Sequence, residues 1–348
     1  MDLFSTNYLA GVVKDLRTTP QHFLDTEFRT ELRDPSEEIH FDLDERKPRL
    51  TPYVSPLIAG KVVEDRGFVT KTFKPPYLKD KRRFDASRPL KRAIGERIGG
   101  ELSPDQRLQL MVGMTLEDQV EMLKYRMEVQ AAEALRLGQV TVSGEGFKTA
   151  VVSFGRHTDL RAVKTGTARW SQTESDPLSQ IETMANAMMA QGGAVLRRVT
   201  FAPDAYQAFR TRLLARDEWK LLVDYRRAST SSTFDLAPGN GEKARYLGTI
   251  GTVDYYVYDD LYIDPVDATE KHLMPSGEVV LTADEVEGTR CFAAIRDEDA
   301  GFQAVPYFPK SWKEPDPAVR WMLMQSAALM VPFRPNASAS MEVLNGGS

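Results

Sequence analysis

Apolar residues recur at intervals of three and four at Leu116, Val120, Leu123, Met127, Ala131 and Ala134, which places them in one stripe along a helix that packs against a sheet or another helix. The start of this helix is well specified. Ser103 precedes Pro104 at the first helical position, and Gln106 stands three residues after Ser103, the spacing of a capping box. Gly138 supplies the stop. A helix over 104–137 is about 50 Å long at 1.5 Å per residue, with Gly113 as the one candidate interruption. A rod of that length extends a fold more than it rounds it.

Downstream the period shortens to that of strands. Val140 to Val142 and 147–154, around Gly144 and Gly146, predict a β-hairpin, and a loop rich in Thr, Ser and Asp runs on to Pro177. Asp176-Pro177 opens a helix through Met189, 195–201 is strand-like and 204–214 helical. Further strands are expected at 252–258, 279–282, 291–295, 304–308 and 321–333. Residues 229–241 form a polar loop expected to be mobile, and Asn345 to Ser348 read as a linker or flexible tail.

The first hundred residues hold too little apolar material to fold alone. Residues 8–16 are amphipathic, then the sequence turns acidic and proline-punctuated. From Tyr53 to Arg92 come β-like runs at Leu57-Ile58, Val62-Val63, Phe68-Val69 and Phe73, with reversals available at 65–67 and at 74–77, and the pattern leaves both open. A two-stranded ribbon is marginal in water unless covered, and Lys79, Lys81, Arg82, Arg83 and Arg88 make this one poor core material. It reads as an arm built to lie on another subunit, with Lys61, Val62, Arg66, Phe68, Phe73, Tyr77, Lys79, Arg82 and Arg83 as the contact candidates.

Charge sharpens that picture. The net charge of −5 over 348 residues hides a division: residues 1–50 carry 7 basic and 11 acidic side chains, and residues 60–97 carry 12 and 5. Complementary arms meeting between neighbouring subunits account for this better than a nucleic-acid patch, because opposite potentials set register at an interface. A hydrophobic content of 42% argues for a globular chain. No apolar run is long enough to span a bilayer, and the N-terminus lacks the regions of a secretory signal. The single cysteine, Cys291, sits in an apolar context and reads as a buried, inert thiol in a reducing compartment.

Candidate chemistry is sparse. His22, His40, His157 and His272 are scattered without metal-ligand spacing and read as surface or interface residues. Lys61 lacks the flanking glycine and hydroxyl of a phosphate loop, and Gly144-Glu145-Gly146 and Gly239-Asn240-Gly241 are turns rather than dinucleotide fingerprints. Asp297-Glu298-Asp299 reads as an exposed acidic turn. No catalytic residue, cofactor or metal is assigned. An enzyme with a pocket in the α/β region stands as the alternative to a structural protein, and a compact small monomer would favour it.

The order of parts is itself a signature: acidic arm, basic hairpin, long helix, inserted α/β region, return to strands. It resembles the phage lambda-like major capsid protein family, with the Hong Kong 97-type fold. The likeness runs through Tyr53-Val54-Ser55-Pro56 with Gly60 and Arg66-Gly67; Phe73, Pro75, Tyr77 and Lys79; 119–138 with Gly144, Glu145 and Phe147; and 307–329, including Pro309-Lys310-Ser311-Trp312 and Met324-Gln325-Ser326-Ala327. It covers about residues 5–333. The resemblance implies an α+β fold with an N-terminal arm (1–50), an extended loop (51–98), a peripheral domain (99–177) with a spine helix at 104–137, an axial domain (178–300), returning peripheral strands (301–335) and a C-terminal tail (336–348).

It implies, too, a non-enzymatic virion protein, assembled in the bacterial host cytoplasm as pentamers and hexamers of an icosahedral shell around double-stranded DNA, without sequence-specific binding. Partners would be a separate scaffold, a portal, head maturation proteins and a trimeric decoration protein; no membrane is involved. Tyr8, Leu9, Val12 and Val13 of the arm would contact the decoration protein or a neighbour, and Leu116, Val120, Leu123 and Met127 would pack the spine helix. A non-viral, encapsulin-like shell is the second reading of the same fold.

Overall fold

The computed structural model describes residues 3–16, 18–44, 51, 53, 68–85, 102–144, 146–215, 243–265, 268–315 and 319–344. Two short helices, α1 (Thr6–Asp15) and α2 (His22–Thr26), precede strands β1 (Thr30–Arg33), β2 (Ile39–Asp44), β3 (Phe68–Phe73) and β4 (Leu78–Asp85). The long helix α3 (Pro104–Leu137) leads into a hairpin, β5 (Gln139–Gly144) and β6 (Phe147–Ser153), and then into β7 (Arg161–Val163). Next come α4 (Pro177–Gly192), β8 (Leu196–Phe201), α5 (Pro203–Ala215), β9 (Arg245–Ile250), β10 (Val253–Val257), β11 (Leu261–Ile263), β12 (Glu270–His272) and β13 (Glu278–Ala283). The chain closes with β14 (Gly288–Phe292), β15 (Phe308–Glu314), β16 (Val319–Ser326), β17 (Ala328–Pro332) and β18 (Ser338–Glu342).

The helix α3 runs without a break through Gly113. Its start is the capping box that the sequence predicts: Ser103 Oγ accepts from Gln106 N–H at 3.3 Å and Gln106 Oε1 accepts from Ser103 N–H at 2.9 Å. It ends at Gly138 in the left-handed conformation, φ +67°, where a side chain would also collide with Arg156 Cβ at 2.7 Å. Arg156 bends back over that end and donates to the carbonyls of Leu135 (2.5 Å) and Arg136 (2.6 Å), satisfying groups a helix terminus leaves open. Leu116, Val120, Leu123, Met127, Ala131 and Ala134 all lie buried along the helix.

A six-stranded sheet has the order β7-β18-β13-β8-β10-β9, and β13 buries all six of its residues, so both faces are covered there. One three-stranded sheet is ordered β1-β14-β17, with β1 parallel to β14; another is ordered β15-β16-β4. The pairs β2-β3, β5-β6 and β11-β12 complete the pairing.

Several expectations are corrected by these pairings. The stretch 74–77 is not a hairpin turn, because β3 pairs with β2 (Ile39↔Phe73) whereas β4 pairs with β16 (Met322↔Arg82). Its two prolines carry the chain from one sheet to another. Residues 304–307 are not strand; β15 begins at Phe308 and tolerates Pro309 because it lies at a sheet edge, where a missing N–H costs no ladder bond. The expected C-terminal tail contains β18, whose first four residues are buried between β13 and β7. The small side chains of Ser338-Ala339-Ser340 hide the usual strand signature yet let α3 approach, and Ser340 Oγ donates to Arg136 O at 2.5 Å. The six-stranded sheet therefore draws on residues outside the expected 178–300, and β14, inside that range, pairs with β1 and β17. The mobile loop proposed at 229–241 and the tail at 345–348 lie outside the described residues.

Candidate assembly surfaces and a buried polar seam

The extended-loop candidates divide three ways. Lys61, Val62 and Arg66 lie outside the described residues, and Phe68 is placed only as the first residue of β3. Phe73 and Tyr77 pack half-buried against the chain's own core; the Tyr77 hydroxyl accepts from Arg296 N–H at 3.0 Å. Lys79, Arg82 and Arg83 sit on β4, a strand bonded into a sheet rather than a free ribbon.

Along β4, Lys79, Lys81 and Arg83 are exposed on one face while Phe84 is buried. The ammonium of Lys81 lies over the Trp321 ring at 4.1 Å and near that of Trp312 at 5.3 Å, and Lys79 lies over Tyr77 at 5.1 Å. Arg82 instead binds within the chain, to Asp80 (2.8 Å) and Asp118 (3.1 Å). The result is an outward cationic row backed by two tryptophans, on an edge strand whose charges discourage uncontrolled strand pairing.

The arm is docked at home. Leu9 is fully buried, Tyr8, Val12 and Val13 pack half-buried beside it, and α1 lies on β15 and α3. Phe4 meets Phe84 edge-on at 6.0 Å and carries the Arg320 guanidinium 3.6 Å from its ring centre. Leu9, and in part Tyr8, Val12 and Val13, are thus already engaged within the chain. Leu9→Ala should cost about 2–5 kcal/mol of docking free energy, seen as faster hydrogen exchange of residues 6–15 in the unassembled chain. Unchanged exchange would show α1 to be held by something other than Leu9.

Behind these surfaces runs a polar seam that sequence reasoning missed. Glu128 of α3 is fully buried and accepts from the backbone N–H groups of Phe23 and Leu24, each at 2.8 Å. Burial pushes its carboxyl up to about 7 despite those bonds. The buried Tyr258 hydroxyl faces it without a well-aligned bond. His22 is buried within the chain too, not the surface or interface residue expected: Nε2 lies 3.2 Å from Thr200 Oγ1, and burial, reinforced by the charge of Arg198, drives its pKa down to about 3. Glu27 receives Arg198 Nε (2.7 Å) and Nη2 (3.2 Å) and the Thr282 hydroxyl (2.8 Å). Glu278 of β13 takes Arg161 at 3.2 Å and Arg136 at 3.4 Å. One signal pointed this way: Glu128 falls between Met127 and Ala131 on the apolar stripe.

The other polar candidates are accounted for locally. Lys310 neutralises Asp297 (2.9 Å) and Asp299 (2.7 Å), so the acidic turn is an ion-pair cluster. Cys291 is buried and its thiol is pushed up to about 12 by burial. Among the described residues no group of three His, Cys, Asp or Glu side chains is placed to hold a metal ion, and no helix is long and apolar enough to cross a membrane.

An arrangement with a long helix packed against strands of several sheets is matched by known proteins. The family model for phage major capsid protein E matches residues 5–343. The chain belongs to this family. It is 27% identical over 350 residues to the major capsid protein of Escherichia phage lambda, spanning 99% of this chain and 100% of that one. Identity to the major capsid protein of Enterobacteria phage phi80 is 29% over 350 residues, with the same coverage. Among solved structures, a putative capsid protein of a prophage of E. coli CFT073 superposes with a TM-score of 0.71 at 21% identity, covering 97% of this chain and 99% of that one. The fold is of the Hong Kong 97 type. As a major capsid protein of tailed phages, this is a structural virion component and not an enzyme, and the family assembles into icosahedral shells.

Proposed function

We propose that this major capsid protein forms the pentamers and hexamers of an icosahedral head around double-stranded DNA, assembled in the host cytoplasm. The end-to-end match to the family, residues 5–343, carries this reading. The extended loop of residues 51–98, with Lys61, Val62 and Arg66, together with the outer face of β4, serves as the contact surface toward a neighbour, while the six-stranded sheet serves as the axial unit. A separate scaffold, a portal, head maturation proteins and a trimeric decoration protein complete the particle, and the DNA is enclosed without sequence readout. Phage rather than encapsulin-like use is favoured by identity to phage proteins along the whole chain.

Negative-stain electron microscopy of the purified protein, with and without a co-expressed scaffold, should show closed shells, tubes, or rings of five and six. A monomer that never assembles under either condition would overturn the proposal. Replacing Lys81 and Arg83 together by Glu should abolish assembly while leaving the monomer's melting temperature within a few degrees, since exposed cation–ring contacts are worth only about 0.5–1 kcal/mol each. Normal shells from that variant would remove the β4 face from the interface.

A further inference from the structure

Residues 21–29 cross the molecule as a strap held from three sides. From α3, Glu128 holds the Phe23 and Leu24 N–H groups. From β14, Arg290 donates to the carbonyls of Leu24 and Phe28, both at 2.7 Å, and from β8, Arg198 holds Glu27. The fit is tight: a Cβ on Gly288 would stand 2.5 Å from the Glu27 carbonyl oxygen. The strap thereby ties the long helix to the six-stranded sheet largely through buried polar bonds, which fix geometry while adding little net stability.

Glu128 on the long helix and His22 on the strap are buried titratable groups of this fastening that have no ion-pair partner of their own among the described residues, unlike Glu27 with Arg198. We propose that the strap is a detachable lock between the long helix and the six-stranded sheet, which on opening to water releases a proton from Glu128 and takes one up on His22. In the closed lock desolvation keeps both neutral, Glu128 up to about pH 7 and His22 down to about pH 3. Open to water, they return to ordinary values of 4.5 and 6.5. Tyr258, whose hydroxyl faces Glu128 and whose ring lies 5.1 Å from that of His22, has its pKa pushed up by burial and stays neutral throughout. Asp25, which favours the neutral form of Glu128, is paired with Arg290 and faces Lys124; Arg198, which favours neutral His22, is paired with Glu27 and Asp284.

The sign follows from linkage. Between about pH 4.5 and 6.5 opening gives up one proton and gains one, so the lock is indifferent to pH there. Losing either group unmasks the other. With only Glu128 left, opening rises tenfold per unit as pH increases; with only His22 left, it rises tenfold per unit as pH falls.

Hydrogen exchange of the full-length protein, corrected for intrinsic rates and followed at the amides of residues 22–28, tests this in free and assembled chains. Between pH 5.0 and 6.5 the wild-type opening constant should stay within about 3-fold. His22→Gln should open about 20-fold more at pH 6.5 than at 5.0, and Glu128→Gln about 15-fold more at 5.0 than at 6.5. Gly288→Ala should raise opening equally at every pH, since it pushes the strap mechanically. A wild-type slope of tenfold per unit across this window, or flat profiles in both single variants, would overturn the proposal. Should the variants fail to fold, the wild type still decides. Relative to the β13 amides, strap opening should grow about 8-fold from pH 4.5 to 3, as proton uptake by His22 outruns the fading proton release from Glu128, and a flat acid limb would overturn it.

Discussion

Replacing Arg198 with alanine is expected to lower stability by about 3–5 kcal/mol. The Glu27 side chain is 3% exposed and Arg198 14%, so both charges have left water for each other. Burial works against the arginine's charge, but the paired bonds to Glu27, helped by Asp284, outweigh it and raise its pKa. Removing the guanidinium leaves a carboxylate in the interior with the Thr282 hydroxyl as its remaining side-chain donor, while Asp284, 65% exposed, simply returns to solvent. The loss is therefore that of a stranded charge and not of a surface pair, which would be worth about 0–1 kcal/mol.

A second variant separates these causes. Combining Arg198→Ala with Glu27→Gln removes the stranded charge but keeps an acceptor for Thr282, and should recover roughly half of the loss. Denaturant unfolding with an unchanged slope checks both. An Arg198→Ala protein within about 1 kcal/mol of wild type would mean that Glu27 ionises at little cost, by admission of water.

What was legible in the sequence is what local chemistry dictates. The capping box at Ser103 and Gln106, the Gly138 stop and the stripe from Leu116 to Ala134 define α3 without reference to any other part of the chain. Asp176-Pro177 likewise marks the start of α4, with Asp176 Oδ1 accepting from Ser179 N–H, and Gly144 and Gly146 mark the β5-β6 turn. What was not legible depends on partners far away in sequence. The pairing of β2 with β3 spans residues 45–67, and Glu27 meets Arg198 across 171 positions. His22 looks like a surface imidazole until α2 is laid against Thr200, Tyr256 and Tyr258. The polar residues of the seam carry no periodic mark, because their burial is decided by which strand arrives opposite them. Arm residues were read as poor in core material, which is true of the segment alone; Leu9 finds its core in β15 and α3.

Trp170 shows the same limit and yields the other large effect. Its surroundings in sequence, Thr165 to Ser175, read as a polar loop, yet the indole is fully buried. Its ring lies 5.8 Å from Phe209 and 6.1 Å from Phe201, Nε1–H donates to Gln180 Oε1 at 3.1 Å, and its backbone N–H donates to Val343 O at 3.0 Å. The loop is thus pinned by one anchor between α4, α5 and the end of β18. Trp170→Ala should cost about 3–5 kcal/mol, through the lost transfer energy and the cavity left beside Phe201 and Phe209, and Gln180 would lose a partner while keeping its bond to Ala168 O. Trp170→Phe retains most of the apolar volume and should cost less than half as much. Because the backbone bond to Val343 survives in both, β18 should stay paired with β13, and hydrogen exchange of Ser338–Glu342 should quicken only in step with global unfolding. Selective fraying of β18 in Trp170→Ala, at unchanged global stability, would instead make the indole a local clasp for the C-terminal strand.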